Sequence, residues 1–376
     1  MNFLLVLEWL IKGFVWALVL LGGFAYLTLY ERKALARMQS RLGPNRAGPW
    51  GILQPIADAV KLIFKEELTP AKADKLIFTL APVITVVPAV IITAVVPWGP
   101  SFDIFGYHLN LYIADINVGV LYIMSIASIA VYGIVLAGWS SNNKYAMMGG
   151  LRSTAQMISY EIALGLSFVS AILLAGSMRM LDIVSAQGGY WFHFIPKWFV
   201  VLQPIGTGIF LIATLAEVNR APFDMPEAEQ ELTAGYHTEY SGMKFALLFM
   251  AEYTKMIAIS AIGATIFFGG YNGPFVDKFP WLGPIYIFVK IIILLFGMIW
   301  VRATFPRIRY DRLMAFGWKV LLPLSLALVF ITAVGIILAQ LNPFLIIFIP
   351  VASLLVAGVA VALIDRTLRR KDYARR

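Results

Sequence analysis

The sequence contains no cysteine. That excludes disulfides, cysteine-ligated zinc and any iron–sulfur cluster held by the chain's own thiolates. Histidine is nearly as scarce. His108, His193 and His237 are scattered singly, which argues against a metal site. Charge is sparse as well, with 14% Asp, Glu, Lys and Arg against 60% hydrophobic residues and a mean hydropathy of +0.80. These values lie far outside the range of a soluble domain. No phosphate loop, dinucleotide fingerprint or metal motif is present, so the driving force for any transport has to come from partners. The chain shows no convincing internal repeat, which weighs against an inverted-repeat transporter. Its start lacks a basic leader and a small-residue cleavage site, and the apolar run there is too long for a signal peptide. It reads as a retained first span.

What is present is long apolar runs, and these predict an all-α polytopic membrane protein. Taking a span as about 20 mostly apolar residues, nine are expected: 3–29, 77–97, 116–139, 157–175, 200–217, 245–268, 284–303, 318–340 and 344–364. The whole chain, 1–376, then forms a single membrane domain with an inner loop at 30–76, an acidic inner loop at 217–244, and a last span with a basic tail at 341–376. The net charge of +9 belongs to loops beside spans and sets orientation rather than binding nucleic acid. Most bases fall on alternate connections, at 32–75, 144–152, 220–244, 302–319 and 366–376, whereas Arg179, Lys197 and Lys278 fall on the other side. The positive-inside rule therefore puts the N-terminus outside and the C-terminus in the cytoplasm.

Two connections stand out. The stretch from Glu217 to Glu239 gathers Glu217, Asp224, Glu227, Glu229, Glu231 and Glu239 against a single base, Arg220, between two spans. Carboxyls this close beside lipid couple strongly and suit proton exchange, while a solvated acidic loop broken by Pro222 and Pro226 is the plainer alternative. In the first inner loop, Ile52, Ile56, Ala59, Val60, Ile63 and Phe64 recur at helical spacing, with Asp58, Lys61 and Lys65 largely on another face. That pattern predicts an amphipathic helix lying in the interface.

Ionisable groups inside spans are functional candidates. They are Glu161, Glu217, Glu252, Lys255 and Lys290. Glu252 with Lys255, and Glu217 with Arg220, also have the i, i+3 spacing of a self-neutralising pair, and both readings stay open. Glu8 and Lys12 are spaced as a structural i, i+4 pair. Glu161, Glu217 and Glu252 together with the acidic loop all belong to the inner half, where several carboxyls can pass protons that one could not.

The segments Gly51-Ile-Leu-Gln54-Pro-Ile-Ala-Asp58-Ala-Val-Lys61-Leu-Ile-Phe-Lys65-Glu66 and Pro222-Phe-Asp224-Met-Pro-Glu227-Ala-Glu229-Gln-Glu231-Leu-Thr-Ala-Gly235 resemble the two signatures of the H membrane subunit of NADH:quinone oxidoreductase, respiratory complex I. Tyr30-Glu31-Arg32-Lys33, Arg41-Leu-Gly-Pro44-Asn45, Ser159-Tyr160-Glu161, Ala251-Glu252-Tyr253 and Arg307-Ile-Arg309-Tyr310-Asp311 support the likeness, which runs from about residue 24 to about 326. The ninth span and basic tail resemble bacterial forms. The resemblance implies a subunit, not catalytic alone, at the junction of the membrane and hydrophilic arms, in the bacterial plasma membrane. It implies a quinone substrate, with NADH, FMN and the iron–sulfur clusters held by partners, and no cofactor bound by this chain alone. By the same resemblance Arg32, Gln39, Arg41, Asp58 and the interfacial helix line the quinone tunnel. Arg220, Asp224, Glu227, Glu229 and Glu231 face the quinone path, and Glu161, Glu217 and Glu252 begin a proton relay toward antiporter-like subunits. The corresponding membrane component of hydrogenase-type complexes, a passive anchor and a stand-alone transporter are the competing readings.

Overall fold

Apolar runs ended by caps, glycines and prolines set the elements of the computed structural model, which describes residues 3–104, 107–191, 195–224, 234–276 and 278–373. Glu227, Glu229, Glu231 and His193 lie outside the described residues. Helix α1 (Phe3–Met38) continues past its apolar part through Glu31, Arg32 and Lys33. No breaker intervenes before Gly43 and Pro44, so the predicted span 3–29 is the apolar part of a longer helix. A 3₁₀ turn at Pro49–Gly51 leads into α2 (Gln54–Phe64), with Pro55 in its first turn. This is the expected amphipathic segment.

Helix α3 (Lys75–Ile91) starts at Asp74, whose carboxylate accepts from the backbone N–H of Leu76 and Ile77 at 3.2 and 3.4 Å. Helices α4 (Gly119–Ser140) and α5 (Lys144–Ala175) follow, α5 opening on the Asn143 cap and closing at Gly176 with φ 70°. After α6 (Met180–Ala186), the fifth predicted span proves to be broken. It consists of α7 (Phe199–Leu202) and α8 (Pro204–Glu217), separated at Gln203. Pro204 brings no backbone N–H to bridge the two pieces. The fully buried Gln203 side chain stitches the break, donating to Ser170 O at 3.0 Å and Thr332 Oγ1 at 3.1 Å while accepting from Ser170 Oγ at 2.7 Å.

The chain continues as α9 (Gly242–Phe267) and α10 (Leu282–Thr304). Helix α11 (Tyr310–Phe316) passes through a π turn, Gly317–Leu321, into α12 (Leu322–Leu341), and α13 (Phe348–Tyr373) completes the described chain. Two short antiparallel ribbons pair β1 (Phe102–Ile104) with β2 (Tyr107–Leu109) and β3 (Tyr190–Trp191) with β4 (Ile195–Pro196). Among the described residues, eight helical stretches are long and apolar enough to cross a membrane, and α8 is the shorter ninth. The protein is therefore an all-α, multi-pass membrane protein.

Helix α3 packs on α4 and α9, α4 on α5, and α5 on α8 and α12, while α1 and α10 flank α9. Lipid supplies no hydrophobic contrast to drive this association, so small residues that let backbones approach matter most. A Cβ on Gly133 of α4 would come within 2.4 Å of Thr85 Cγ2 on α3. Lys290, a candidate for chemistry by its position in a span, donates its ammonium to Gly270 O and Asn272 O, both at 2.7 Å, and lies over the Trp198 ring.

Candidate functional site

At 14 residues, α8 is about 21 Å long, well short of the ~30 Å hydrocarbon core. Glu217, its last residue, is accordingly surrounded by residues from the middles of other helices: Thr85 of α3, Ile134 of α4, Met157 of α5 and Lys255 of α9. Beyond it the backbone stays buried without being helical. Val218, Asn219, Arg220, Ala221, Phe223 and Asp224 are all buried. Irregular backbone at this depth is tolerated only where protein satisfies it or a cavity receives it.

Helix α5 does the satisfying. Gln156 Nε2 donates to Ala216 O and Phe223 O, each at 2.8 Å, and Asn219 Nδ2 donates to Ser153 Oγ at 2.8 Å. From the far side, Ile308 N–H donates to Pro222 O at 3.1 Å, and Arg307 pairs with Asp224 at 3.2 Å. Where the chain is again described, the 3₁₀ turn Gly235–His237 lies so close to α5 that a Cβ on Gly149 would sit 2.6 Å from Gly235 Cα. Tyr240 then stacks on Phe78, with its hydroxyl donating to Phe78 O at 3.2 Å. Burial pushes this phenol up to about 12, against a smaller opposing pull from Ser140, so it remains a neutral donor.

Arg220 is the hub. Its Nε lies 2.5 Å from Glu252 Oε1, Nη1 lies 3.0 Å from Glu31 Oε1, and the guanidinium stands over the Tyr253 ring at 4.3 Å. Glu31 also pairs with Arg302 of α10. A buried guanidinium remains charged and needs such partners. Of the two readings open for Glu217 and Arg220, the i, i+3 pair does not form, because α8 stops at Glu217 and the helical geometry stops with it. Glu252 turns to Arg220 in place of Lys255. Glu8 and Lys12 do pair, at 2.5 Å.

Glu161, half-buried on α5, accepts from Ser128 Oγ of α4. It lies within electrostatic reach of both Glu217 and Lys255. Glu217 Oε2 is buried with no hydrogen-bond partner. The structure thus brings Glu161, Glu217, Glu252 and Arg220 into one neighbourhood and adds Glu31, Gln156 and Lys255 to it.

The remaining candidates form a second group at the basic end of α1. Arg32 pairs with Asp58 of α2 at 2.8 Å, Asp58 also accepts from Gln54 at 3.1 Å, and Arg41 donates to Gln39 at 2.7 Å. Beside them an open hollow of about 340 Å³ is lined by Lys33, Arg37, Arg41, Asn45 and Trp50. Ile56, Val60, Ile63 and Phe64 leave the apolar side of α2 exposed. Glu31 and Arg32, adjacent in α1, face one group each. Among the described residues no three His, Asp or Glu side chains converge as a metal site.

The family model described as NADH dehydrogenase matches residues 11–333. The H subunit of NADH-quinone oxidoreductase from Thermomicrobium roseum is 50% identical over 325 residues, 86% of this chain and 94% of that protein. The chain belongs to this family. Other similar members are the first H subunit of Geobacter metallireducens, 49% identical over 82% of this chain and 90% of that protein, and the H subunit of Deinococcus deserti, 51% identical over 84% and 80%. Membership makes the chain a membrane component of NADH-quinone oxidoreductase, a multisubunit oxidoreductase in which it is not catalytic alone.

Residues to which the sequence assigns no role are mostly polar groups on otherwise apolar helices. Gln156 looks like one polar residue among Arg152, Ser153, Thr154, Ser159 and Glu161 of α5, and only the fold brings the carbonyls of Ala216 and Phe223 to it. Glu31 does have a signal, the Tyr-Glu-Arg-Lys run, which marks a motif without marking a buried partner.

Proposed function

We propose that this subunit walls the quinone access chamber at the junction with the hydrophilic arm and couples quinone reduction to proton translocation through Glu161, Glu217 and Glu252. The observation that carries this reading is the placement of Glu217. A buried carboxyl at the end of a helix that stops halfway, close to Glu161 and joined through the Arg220 loop to Glu252 and Glu31, is placed to exchange protons with either end of a chain of acids.

The proposed quinone path starts at the second group. An exposed apolar helix face beside a polar, basic hollow suits a prenyl tail carrying a polar head. Electrons reach the quinone from an iron–sulfur cluster in a partner subunit, and this chain contributes the wall, the charges and the proton path. Quinone reduction alters charge and proton demand in the chamber, and the loop from Arg220 to Glu239, with Asp224, Glu227, Glu229 and Glu231, rearranges in response. Clustered carboxyls in poorly solvated surroundings respond together, because a charge appearing near one of them shifts the proton occupancy of all. Small and antiporter-like membrane subunits receive the change. The preponderance of bases on one set of connections supports an N-terminus outside and a C-terminus in the cytoplasm of a bacterial inner membrane.

The test uses membranes carrying Glu217→Gln in the assembled complex, with NADH-driven quinone reduction and the proton gradient recorded together. Reduction retained with the gradient lost is the expected result. Both activities unchanged would remove Glu217 from the proton path and leave it a structural residue.

A further inference from the structure

The sequence leaves two readings open for Lys255, a functional ionisable group inside a span or the i, i+3 partner of Glu252, and the structure does not form the pair. Glu252 is engaged by Arg220 at 2.5 Å. Lys255 stands at the middle of α9, buried, and no carboxylate oxygen of a described residue lies within the 4.0 Å of an ion pair. A buried ammonium without a direct partner is costly, and where one persists it has a local reason.

The reason is spatial. Two small cavities touch Lys255, and Glu217 lines both of them. The first is walled by Thr85, Ile134, Met157 and Tyr236, and the second by Pro88, Ala89, Ala127 and Ala130. The first offers about 20 Å³ to a water-sized sphere and the second about 10 Å³. A single water needs roughly 10–15 Å³ on this measure and polar partners to hold it. Glu217 Oε2, buried and without a hydrogen-bond partner, and the Lys255 ammonium supply an acceptor and donors on one space.

We infer that Lys255 is the positioning residue of the relay, holding Glu217 through a bridging water in the cavity they share. This rests on the proposed relay and deepens it. A direct salt bridge would pin both charges, whereas a water between them keeps the attraction and leaves the carboxylate open to a proton arriving along the same hydrogen bonds. The other titratable or charged groups facing the pair are Glu161 from α5, Glu252 from α9 itself and Tyr236 from the 3₁₀ turn. The parts of α3 and α4 that line the cavities contribute only Thr85 and apolar residues. Among the described residues, Lys255 is therefore the single cation on either cavity.

The experiment compares Lys255→Met, Lys255→Arg and Glu217→Gln in the assembled complex in native membranes, recording NADH-driven quinone reduction and the gradient across a range of pH. In the Met variant, which keeps length and loses charge, the gradient per NADH oxidised drops and its pH profile moves by about one unit. The Arg variant restores both. A gradient and profile unchanged in Lys255→Met, where Glu217→Gln uncouples, overturn the role of Lys255 and leave the relay standing. No effect in either variant overturns both. Should Lys255→Met fail to assemble, the exchange of Glu217→Lys with Lys255→Glu decides. Recovery of assembly and gradient supports the pair, and continued loss overturns it.

Discussion

Arg220 Nε lies 2.5 Å from Glu252 Oε1 while its Nη1 reaches Glu31 at 3.0 Å, so one guanidinium fastens the loop after α8 to both α1 and α9. Removing one carboxylate leaves the buried cation short of a partner. Glu31→Ala is expected to destabilise the subunit by about 3–5 kcal/mol. Thermal inactivation of the detergent-solubilised complex reads this as a fall in the midpoint, and an unchanged midpoint would show that Glu252 alone suffices for Arg220.

Gln156 can be probed separately. Gln156→Leu keeps the bulk and removes the donor to Phe223 O and Ala216 O, at a cost of about 1–3 kcal/mol for a carbonyl left unsatisfied. The expected outcome is faster backbone amide exchange across 216–224 in the assembled complex, with quinone reduction slowed. Exchange at the parent rate would mean that the loop is held by Asn219 and Arg307 instead.

How much of this is legible in the sequence varies with the kind of signal. Apolar runs mark the helices, and the spacing in α2 marks its amphipathic face. Glu161, Glu217 and Glu252 can be picked out because a carboxylate inside an apolar run is conspicuous. Their partners cannot. The Glu252–Lys255 and Glu217–Arg220 spacings suggest local pairs, but Arg220 spends its contacts on helices distant in sequence, a choice made by the break after Glu217. The end of α8 halfway along its neighbours is hidden as well, since the uninterrupted apolar run before Glu217 reads as a full span, and Gln203 followed by proline looks like a minor blemish in it.

Substitution on the exposed face of α2 addresses the chamber. Replacing Ala57 or Ala59 by Phe, or removing the charge at Arg41, is expected to raise the apparent KM for long-tailed quinones severalfold and that for short-tailed analogues much less. Equal effects on both would argue against a tunnel wall there.

Lys290 serves as the contrast. Its ammonium holds two backbone carbonyls of the 269–272 connection, hydrogen bonds of about 1.5–3 kcal/mol each when the donor is charged. Lys290→Met is expected to lower the thermal stability of the complex while leaving the gradient per NADH oxidised at the parent value. A loss of gradient at full stability would place Lys290 in the proton path after all.

The shortness of α8 also has an electrical meaning. Carrying an elementary charge through a whole membrane takes about 2.3 kcal/mol per 100 mV, and that work is spent where the medium is least polarisable. On the side of Glu217 toward the basic loops lie buried backbone dipoles, Arg220 and its carboxylates; on the other side lie the apolar helix ends. In the proposed relay, a proton reaching Glu217 from the basic side has passed these dipoles and charges, and the electrical work left to do belongs to the steps beyond it.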